Sequence, residues 1–231
     1  MRVNTTGANN TSVGSGALYS NTTGADNVAI GKNTMYSTTT ASYNVAIGVN
    51  ALDTNTTGAN NTAIGKDALT ANTTGSYSTA VGSQALLANT TGAQNQAFGF
   101  YSMNENTTGN YNSGFGIYAL RGNTTGDNNT ATGKGALRYN TTADNNTATG
   151  YYALFANTTG VNNVGLGYTA GDNITTGSSN IIIGSGIDAP SATASNQLNI
   201  GNWIYGSGGN VGIGTASPTS VLHIKSDTAN D

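Results

Sequence analysis

Residues 55–71 read NTTGANNTAIGKDALTA, and close variants of these 17 residues fill most of the chain. Taking Asn4 as the first position and stepping by 17 gives eleven units over residues 4–190, without one insertion or deletion. Position 11 of every unit is glycine, as at Gly31, Gly48 and Gly65. A flexible chain has no reason to hold such spacing, so each unit must contact its neighbours in a fixed register.

Each unit combines a strand pattern with turn residues. Positions 8–10, such as 28–30 (Val-Ala-Ile), have the pattern of a β-strand, and the glycine at position 11 ends it. We expect the Asn-Thr-Thr-Gly at positions 1–4 to be a second extended piece, its glycine taking positive φ at a tight corner. Units rich in Thr, Asn and Gly disfavour helix. The sequence therefore predicts an all-β protein: a parallel β-solenoid shaft of eleven coils at 4–190, then a β-rich C-terminal segment at 191–231.

Two apolar columns recur along the units. Within the strand, position 9 is small and position 10 is bulky, as in Ala29 and Ile30, so the two must point to opposite faces. A second bulky column is at position 15, as in Leu52 and Leu69. At about 1.5–3 kcal/mol for each fully buried large side chain, two per coil do not offset the ordering of 17 residues. We therefore expect an obligate oligomer of intertwined or side-by-side chains.

Position 7 is nearly always asparagine, as at Asn27, Asn44 and Asn61. Stacked coils are about 4.8 Å apart, which allows side-chain amides to hydrogen-bond along the axis. We expect these asparagines and the position-11 glycines to be structural.

The composition excludes several functional classes. Gly, Thr and Asn make up 105 of 231 residues, only 7% of residues are charged, and the net charge is −3. Because the chain has no excess of positive charge, nucleic-acid binding is not expected. The chain has no cysteine and one histidine, and no cluster of acids stands out. We therefore expect no enzyme activity, no catalytic or metal-binding residues and no cofactor. No stretch is apolar for the roughly 20 residues that membrane insertion needs.

The repeats resemble those of two groups of extracellular fibres. Asn-Val-Ala-Ile-Gly at 27–31 and again at 44–48 is similar to the head repeats of trimeric autotransporter adhesins. The longer unit, with Asn-Thr-Thr-Gly and Ala-Leu, resembles the β-solenoid shafts of bacteriophage tail fibres. Adhesin heads usually have shorter repeats, so the 17-residue unit favours the fibre.

The stretch 196–224 resembles the segment that precedes the C-terminal intramolecular chaperone of tail fibres and tailspikes. The resemblance implies a chaperone after this segment, cleaved off or missing from the sequence, and it implies a homotrimer. It also implies a virion protein that attaches to a host cell-surface glycan or other receptor. The alternative is a bacterial cell-surface adhesin or extracellular matrix filament.

Aromatic residues after the constant glycine are the candidate receptor-binding residues. Exposed rings beside Asn and Asp suit the faces of sugars. The alternative is that the rings stack along the rod or pack between chains as structural elements. The candidates are Phe100, Tyr101, Tyr118, Tyr151, Tyr152 and Tyr168.

The nine Asn-Thr-Thr runs also match the acceptor motif for N-glycosylation. The alternative interpretation is turn chemistry, in which Asn caps its own turn and Thr fills a β position.

Overall fold

The computed structural model describes residues 2–225, which form one continuous sheet of fifteen short strands and contain no helix. The strands are β1 (Thr11–Val13), β2 (Val28–Ile30), β3 (Val45–Ile47), β4 (Thr62–Ile64), β5 (Thr79–Val81), β6 (Gln96–Phe98), β7 (Ser113–Phe115), β8 (Thr130–Thr132), β9 (Thr147–Thr149), β10 (Val164–Leu166), β11 (Ile181–Ile183), β12 (Leu198–Ile200), β13 (Ile204–Ser207), β14 (Asn210–Ile213) and β15 (Leu222–Ile224).

The strands pair in the register that the 17-residue repeat of the sequence predicts. Strands β1 to β12 pair in parallel, each residue facing the one 17 positions later, as Ala29 faces Ala46. The parallel β-solenoid predicted from the repeat is therefore confirmed. The same pairing joins Ile181 to Leu198, so it extends past residue 190. The antiparallel hairpin β13–β14 follows, and β15 pairs with β14 in parallel. Eleven coils at about 4.8 Å give a rod segment of roughly 50 Å.

The two faces of each strand differ as the alternation predicts. Position 9 points inward, and Ala29, Ala46 and Ala63 are fully buried. Position 10 points outward, and Ile30 and Ile47 stay 38% and 37% exposed. Of the two bulky columns, only position 15 fills the core. Its fully buried members include Leu18, Met35, Leu52, Leu69, Leu86, Met103, Leu120, Leu137 and Leu154.

The Asn-Thr-Thr-Gly segment is not the second extended piece that the sequence predicts. Positions 2 and 3 are bends, and each coil contributes only the strand at positions 8–10. The φ prediction is wrong as well, because Gly58 and its equivalents do not have positive φ. Gly58 is needed for space: a Cβ there would overlap the carbonyl oxygen of Gly75 and the side-chain oxygen of Asn55.

Position 11 does use the conformational freedom of glycine. Gly31, Gly48 and Gly65 have φ of 137°, 134° and 137°, and a Cβ on Gly65 would lie 2.5 Å from the carbonyl oxygen of Gly82. Both the backbone angle and the approach of the next coil therefore require glycine.

The predicted asparagine ladder at position 7 is present and buried. The Asn27 backbone N–H donates to the side-chain oxygen of Asn10 at 3.0 Å, and the Asn44 and Asn61 backbones donate to the preceding rung at 3.0 and 2.9 Å. The Asn61 amide also donates to the carbonyl of Gly75 at 2.9 Å. Each rung thus ties two neighbouring coils together.

Position 1 forms a second asparagine ladder that the sequence did not reveal. Asn72 donates to the side-chain oxygen of Asn55 and to the carbonyl of Gly75, both at 2.9 Å. Asn89 continues the ladder by donating to Asn72 at 2.9 Å. These asparagines belong to the Asn-Thr-Thr runs and are fully buried, whereas Asn4 at the end of the ladder is exposed. The turn interpretation is therefore correct for the asparagines of the buried runs, whose amides are closed to a glycosyltransferase. It is wrong for the threonines, which lie in bends and not in β positions.

Candidate binding surface

The six aromatic residues predicted as a receptor site form two groups on one side of the rod. In the first, the Phe100 ring lies 4.3 Å from Tyr101 and 5.9 Å from Tyr118. Phe100 is exposed, whereas Tyr101 and Tyr118 are half-buried.

The second group lies three coils further along. The Tyr151 ring centre is 4.1 Å from Tyr152 and stacks on Tyr168 at 5.3 Å. Tyr151 and Tyr168 are exposed, and Tyr152 is half-buried. A side-chain hydrogen bond with Tyr152 raises the pKa of the Tyr151 hydroxyl above its usual value. The rings therefore do stack along the rod, as the structural alternative predicted, and they also leave apolar faces open to solvent.

Residues at positions 16 and 17, which are not among the predicted binding residues, connect the two groups. The Phe155 ring lies 4.5 Å from Tyr152 and 4.9 Å from Tyr139. The Arg138 guanidinium lies 4.8 Å from the Tyr118 ring centre and 5.9 Å from that of Phe155. Arg138 thus bridges two sets of rings that do not touch each other directly. We call the whole row the aromatic strip, defined as Phe100, Tyr101, Tyr118, Tyr139, Tyr151, Tyr152, Phe155 and Tyr168.

Three cationic side chains lie along the aromatic strip: Arg138, already described, Arg121 and Lys134. The Arg121 guanidinium is 5.9 Å from the Tyr101 ring centre and 5.8 Å from that of Tyr118. The Lys134 ammonium is 5.6 Å from the Tyr151 ring centre. The signal was available in the sequence, since three of the chain's seven Lys and Arg residues fall within 121–138.

A cleft of about 180 Å³ opens beside the strip. Position 17 carries Glu105, Gly122 and Tyr139 on three successive coils, so the missing side chain at Gly122 leaves a notch one coil high. Arg121 and Arg138 line its sides, and Arg121 pairs with Glu105 at 3.2 Å. We name this set of five residues the arginine cleft.

Three further tyrosines stand on a different corner of the coil. Tyr43, Tyr77 and Tyr111 occupy position 6 of alternate coils, with φ near 60°, and are 61%, 62% and 60% exposed. No ring contact joins them to the aromatic strip in the described part of the chain.

The outer face of the sheet, made of positions 8 and 10, is apolar over several coils. Ile30, Ile47, Ile64 and Leu166 are among its exposed side chains. Phe98 and Phe115 stack on this face with ring centres 5.0 Å apart. An exposed apolar surface running along a rod is typical of an interface.

Two carboxyl groups meet near the end of the solenoid. Burial, together with a hydrogen bond and repulsion from Asp188, raises the pKa of Asp172 to about 6. Within residues 2–225, no group of three or more His, Cys, Asp or Glu side chains is placed to hold a metal ion. Within the same residues, no helix is long and apolar enough to cross a membrane.

No protein-family profile, curated protein or solved structure matches the chain.

Proposed function

We propose that the chain is the shaft of a trimeric attachment fibre, similar to a bacteriophage tail fibre, and that its aromatic strip binds a glycan on a host cell surface. The observation that carries this proposal is the strip itself, in which exposed aromatic rings lie on four of five successive coils and the half-buried Tyr118 lies on the fifth. Sugar rings have apolar faces that pack on aromatic rings, and neighbouring hydroxyl and cationic groups add directional hydrogen bonds.

The rod supports attachment because it holds the strip rigidly. Each coil is fixed to its neighbours by strand pairing and by two asparagine ladders. Side chains that repeat at the coil spacing of about 4.8 Å form an extended surface suited to a repeating polymer. One weak contact per sugar then gains affinity from many simultaneous contacts.

The homotrimer is supported by the outer sheet face. Ile47, Ile64 and Phe115 are each 37% exposed and occupy position 10 of their coils. Three copies that pack these faces around a common axis would bury the column and leave the aromatic strip, on another part of the coil, available to ligand. Burial of apolar area contributes about 25 cal/mol per Å², and position 10 is apolar in nine of the eleven coils, so the contributions add up along the rod.

The test of attachment is adsorption of the whole chain to a panel of bacterial cells. The variant Tyr101→Ala/Tyr118→Ala/Tyr152→Ala removes three rings of the strip, and we expect it to lose at least about tenfold in binding, roughly 0.5–1.5 kcal/mol for each ring contact. Adsorption equal to that of the unmodified chain would reject the strip as the binding surface.

The matched control is Tyr43→Ala/Tyr77→Ala/Tyr111→Ala. It removes the same number of rings from positions that also have positive φ, but at the other corner of the coil. We expect it to keep full adsorption. Loss of adsorption in the control variant alone would move the binding surface to that corner.

A further inference from the structure

The cationic side chains on the aromatic strip are short of negative partners. Within residues 2–225, the only ion pair among them joins Arg121 to Glu105, and no carboxylate lies within 4.0 Å of Arg138 or Lys134. This local excess of positive charge stands out in a chain whose net charge is −3. An acidic protein that concentrates unpaired cations on one surface attracts an anionic ligand to that surface.

The arginine cleft leaves polar hydrogens without acceptors. The Nε atoms of Arg121 and Arg138 are both buried and have no hydrogen-bond partner. Both Nε atoms are closed to solvent, so a ligand in the cleft meets the terminal Nη groups instead, and the Arg121 side chain keeps 34% of its surface exposed. Planar guanidinium groups bind carboxylate and sulfate oxygens through two parallel hydrogen bonds.

Aromatic rings surround the same guanidinium. The Arg138 guanidinium carbon lies 4.8 Å from the Tyr118 ring centre and 5.4 Å from that of Tyr139. The rings hold the guanidinium in place, and Tyr139 also forms one wall of the notch at Gly122. The cleft thus offers an apolar face for a sugar ring next to donors for an acidic substituent.

We propose that the arginine cleft recognises an acidic polysaccharide, with the carboxylate or sulfate of one sugar on Arg138 and its ring against Tyr139. This inference rests on the proposed glycan attachment and specifies its ligand class. Lys134, one coil from Arg121 and 5.6 Å from the Tyr151 ring centre, is placed to meet a second anionic group further along the same polymer.

The experiment measures binding of the whole chain by isothermal titration calorimetry at low salt. The probes are oligogalacturonate and its methyl ester, which share a backbone and differ in charge, with dextran sulfate and neutral dextran as a second pair. We expect each acidic probe that binds to do so with an affinity at least about tenfold higher than that of its neutral counterpart, because charge-assisted hydrogen bonds are stronger than neutral ones. Binding to dextran sulfate alone would assign the site to sulfate, and binding to oligogalacturonate alone would assign it to carboxylate.

The variant Arg138→Gln should weaken binding of the acidic probe by about tenfold and leave the weak binding of the neutral probe unchanged. Lys32→Gln is the matched control, because it removes one positive charge from an exposed side chain in the second unit, four units before the first residue of the cleft, and should change affinity less than about twofold. A thermal melt of each variant checks that the solenoid is intact.

Equal affinity for acidic and neutral probes, an unaffected Arg138→Gln variant, or no binding to either acidic probe would overturn the ligand class. These outcomes are distinct from failure of the proposed function. A chain that adsorbs to cells through Tyr101, Tyr118 and Tyr152 but binds acidic and neutral probes equally remains an attachment fibre for a neutral glycan. A chain that adsorbs to no cell is not an attachment fibre.

Discussion

At the scale of single residues, stability depends on buried asparagine side chains. Asn106 donates to the side-chain oxygen of Asn89 at 2.8 Å and accepts from Asn123 at 2.8 Å. Each amide therefore satisfies its neighbours in both directions, and one interruption leaves buried atoms unpaired. The third unit has such an interruption, since Thr38 occupies position 1. Its hydroxyl oxygen and the side-chain oxygen of Asn21 are both buried without a partner.

The interruption predicts a stabilising substitution. Thr38→Asn would place a donor against the free oxygen of Asn21, and we expect the free energy of unfolding to rise by about 1–3 kcal/mol in a urea titration. Position 4 of this unit is Ala41, but the ninth unit already combines Asn140 with Ala143, the Asn140 amide donating to the Ala143 carbonyl at 3.0 Å. The control Thr40→Asn, on an exposed side chain of the same unit, should change stability by less than about 0.5 kcal/mol. A destabilised Thr38→Asn variant would contradict the role given to the ladder.

At the scale of the coil, residues with a left-handed backbone conformation (positive φ) determine where the chain turns. Positions 6, 11, 13 and 15 have positive φ in nearly every unit, and at position 15 the residue is a buried leucine such as Leu69, with φ of 51°. Leucine rarely adopts this conformation. The packing of each leucine against the neighbouring coils compensates for the local backbone cost, so a coil is stable only within the stack.

The position-11 corner predicts a large difference between two glycine substitutions. Gly65→Ala should cost more than about 2 kcal/mol, because Gly65 combines φ of 137° with a Cβ contact of 2.5 Å to Gly82. Gly208→Ala, at a hairpin turn with φ of 59° and no atom within 4 Å, should cost only about 1–2 kcal/mol. Urea unfolding measured on both variants checks the order, and equal costs would show that the close approach of coils is unimportant.

The Asp172–Asp188 contact predicts a pH dependence at the end of the solenoid. The pKa of Asp172 is raised from 3.8 to about 6 in the folded chain, so its contribution to stability is fully present below pH 3.8 and is lost as pH rises through about 6. Comparing pH 5 with pH 8, we expect Asp172→Asn to remove a difference in unfolding free energy on the order of 1 kcal/mol, small because solvent screens the pair. If the unmodified chain and the variant change equally with pH, the contact has no such effect.

The strand, its faces and its register could be predicted from the sequence, because alternation of Ala63 and Ile64 and an unbroken 17-residue spacing each have one physical explanation. The role of Asn55 could not, because Asn-Thr-Thr-Gly is compatible with a strand, a turn or a glycosylation site until its burial against the next coil is known. The cluster of Arg121, Lys134 and Arg138 is visible in the sequence, but the contact of Arg138 with the Tyr118 ring is not. Positions 13 and 16 meet only because left-handed turns fold the coil back, and a propensity argument does not place a left-handed leucine at position 15.

At the scale of the whole molecule, one chain leaves its outer sheet face uncovered. Ile30, Ile47 and Ile64 form the exposed column along this face, and Trp203, in the turn between β12 and β13, is 77% exposed. A solitary rod with this surface would aggregate. The proposed trimer would cover this face, which would account for the bulky residues on the outside of the strand.

The outer face can be disrupted without touching the core. Ile47→Lys/Ile64→Lys places two like charges in the proposed interface, and we expect it to shift the chain from trimer towards monomer in sedimentation velocity. The control Asn60→Lys/Gln94→Lys adds the same charge at exposed corners and should leave the trimer intact. Dissociation by both variants would attribute the effect to net charge instead of the face.

The molar mass of the unmodified chain in solution tests the central claim, a rod that assembles through its outer face, most directly. Light scattering coupled to size-exclusion chromatography should give three times the chain mass of 23.2 kDa. A single species at 23.2 kDa would contradict the trimeric rod.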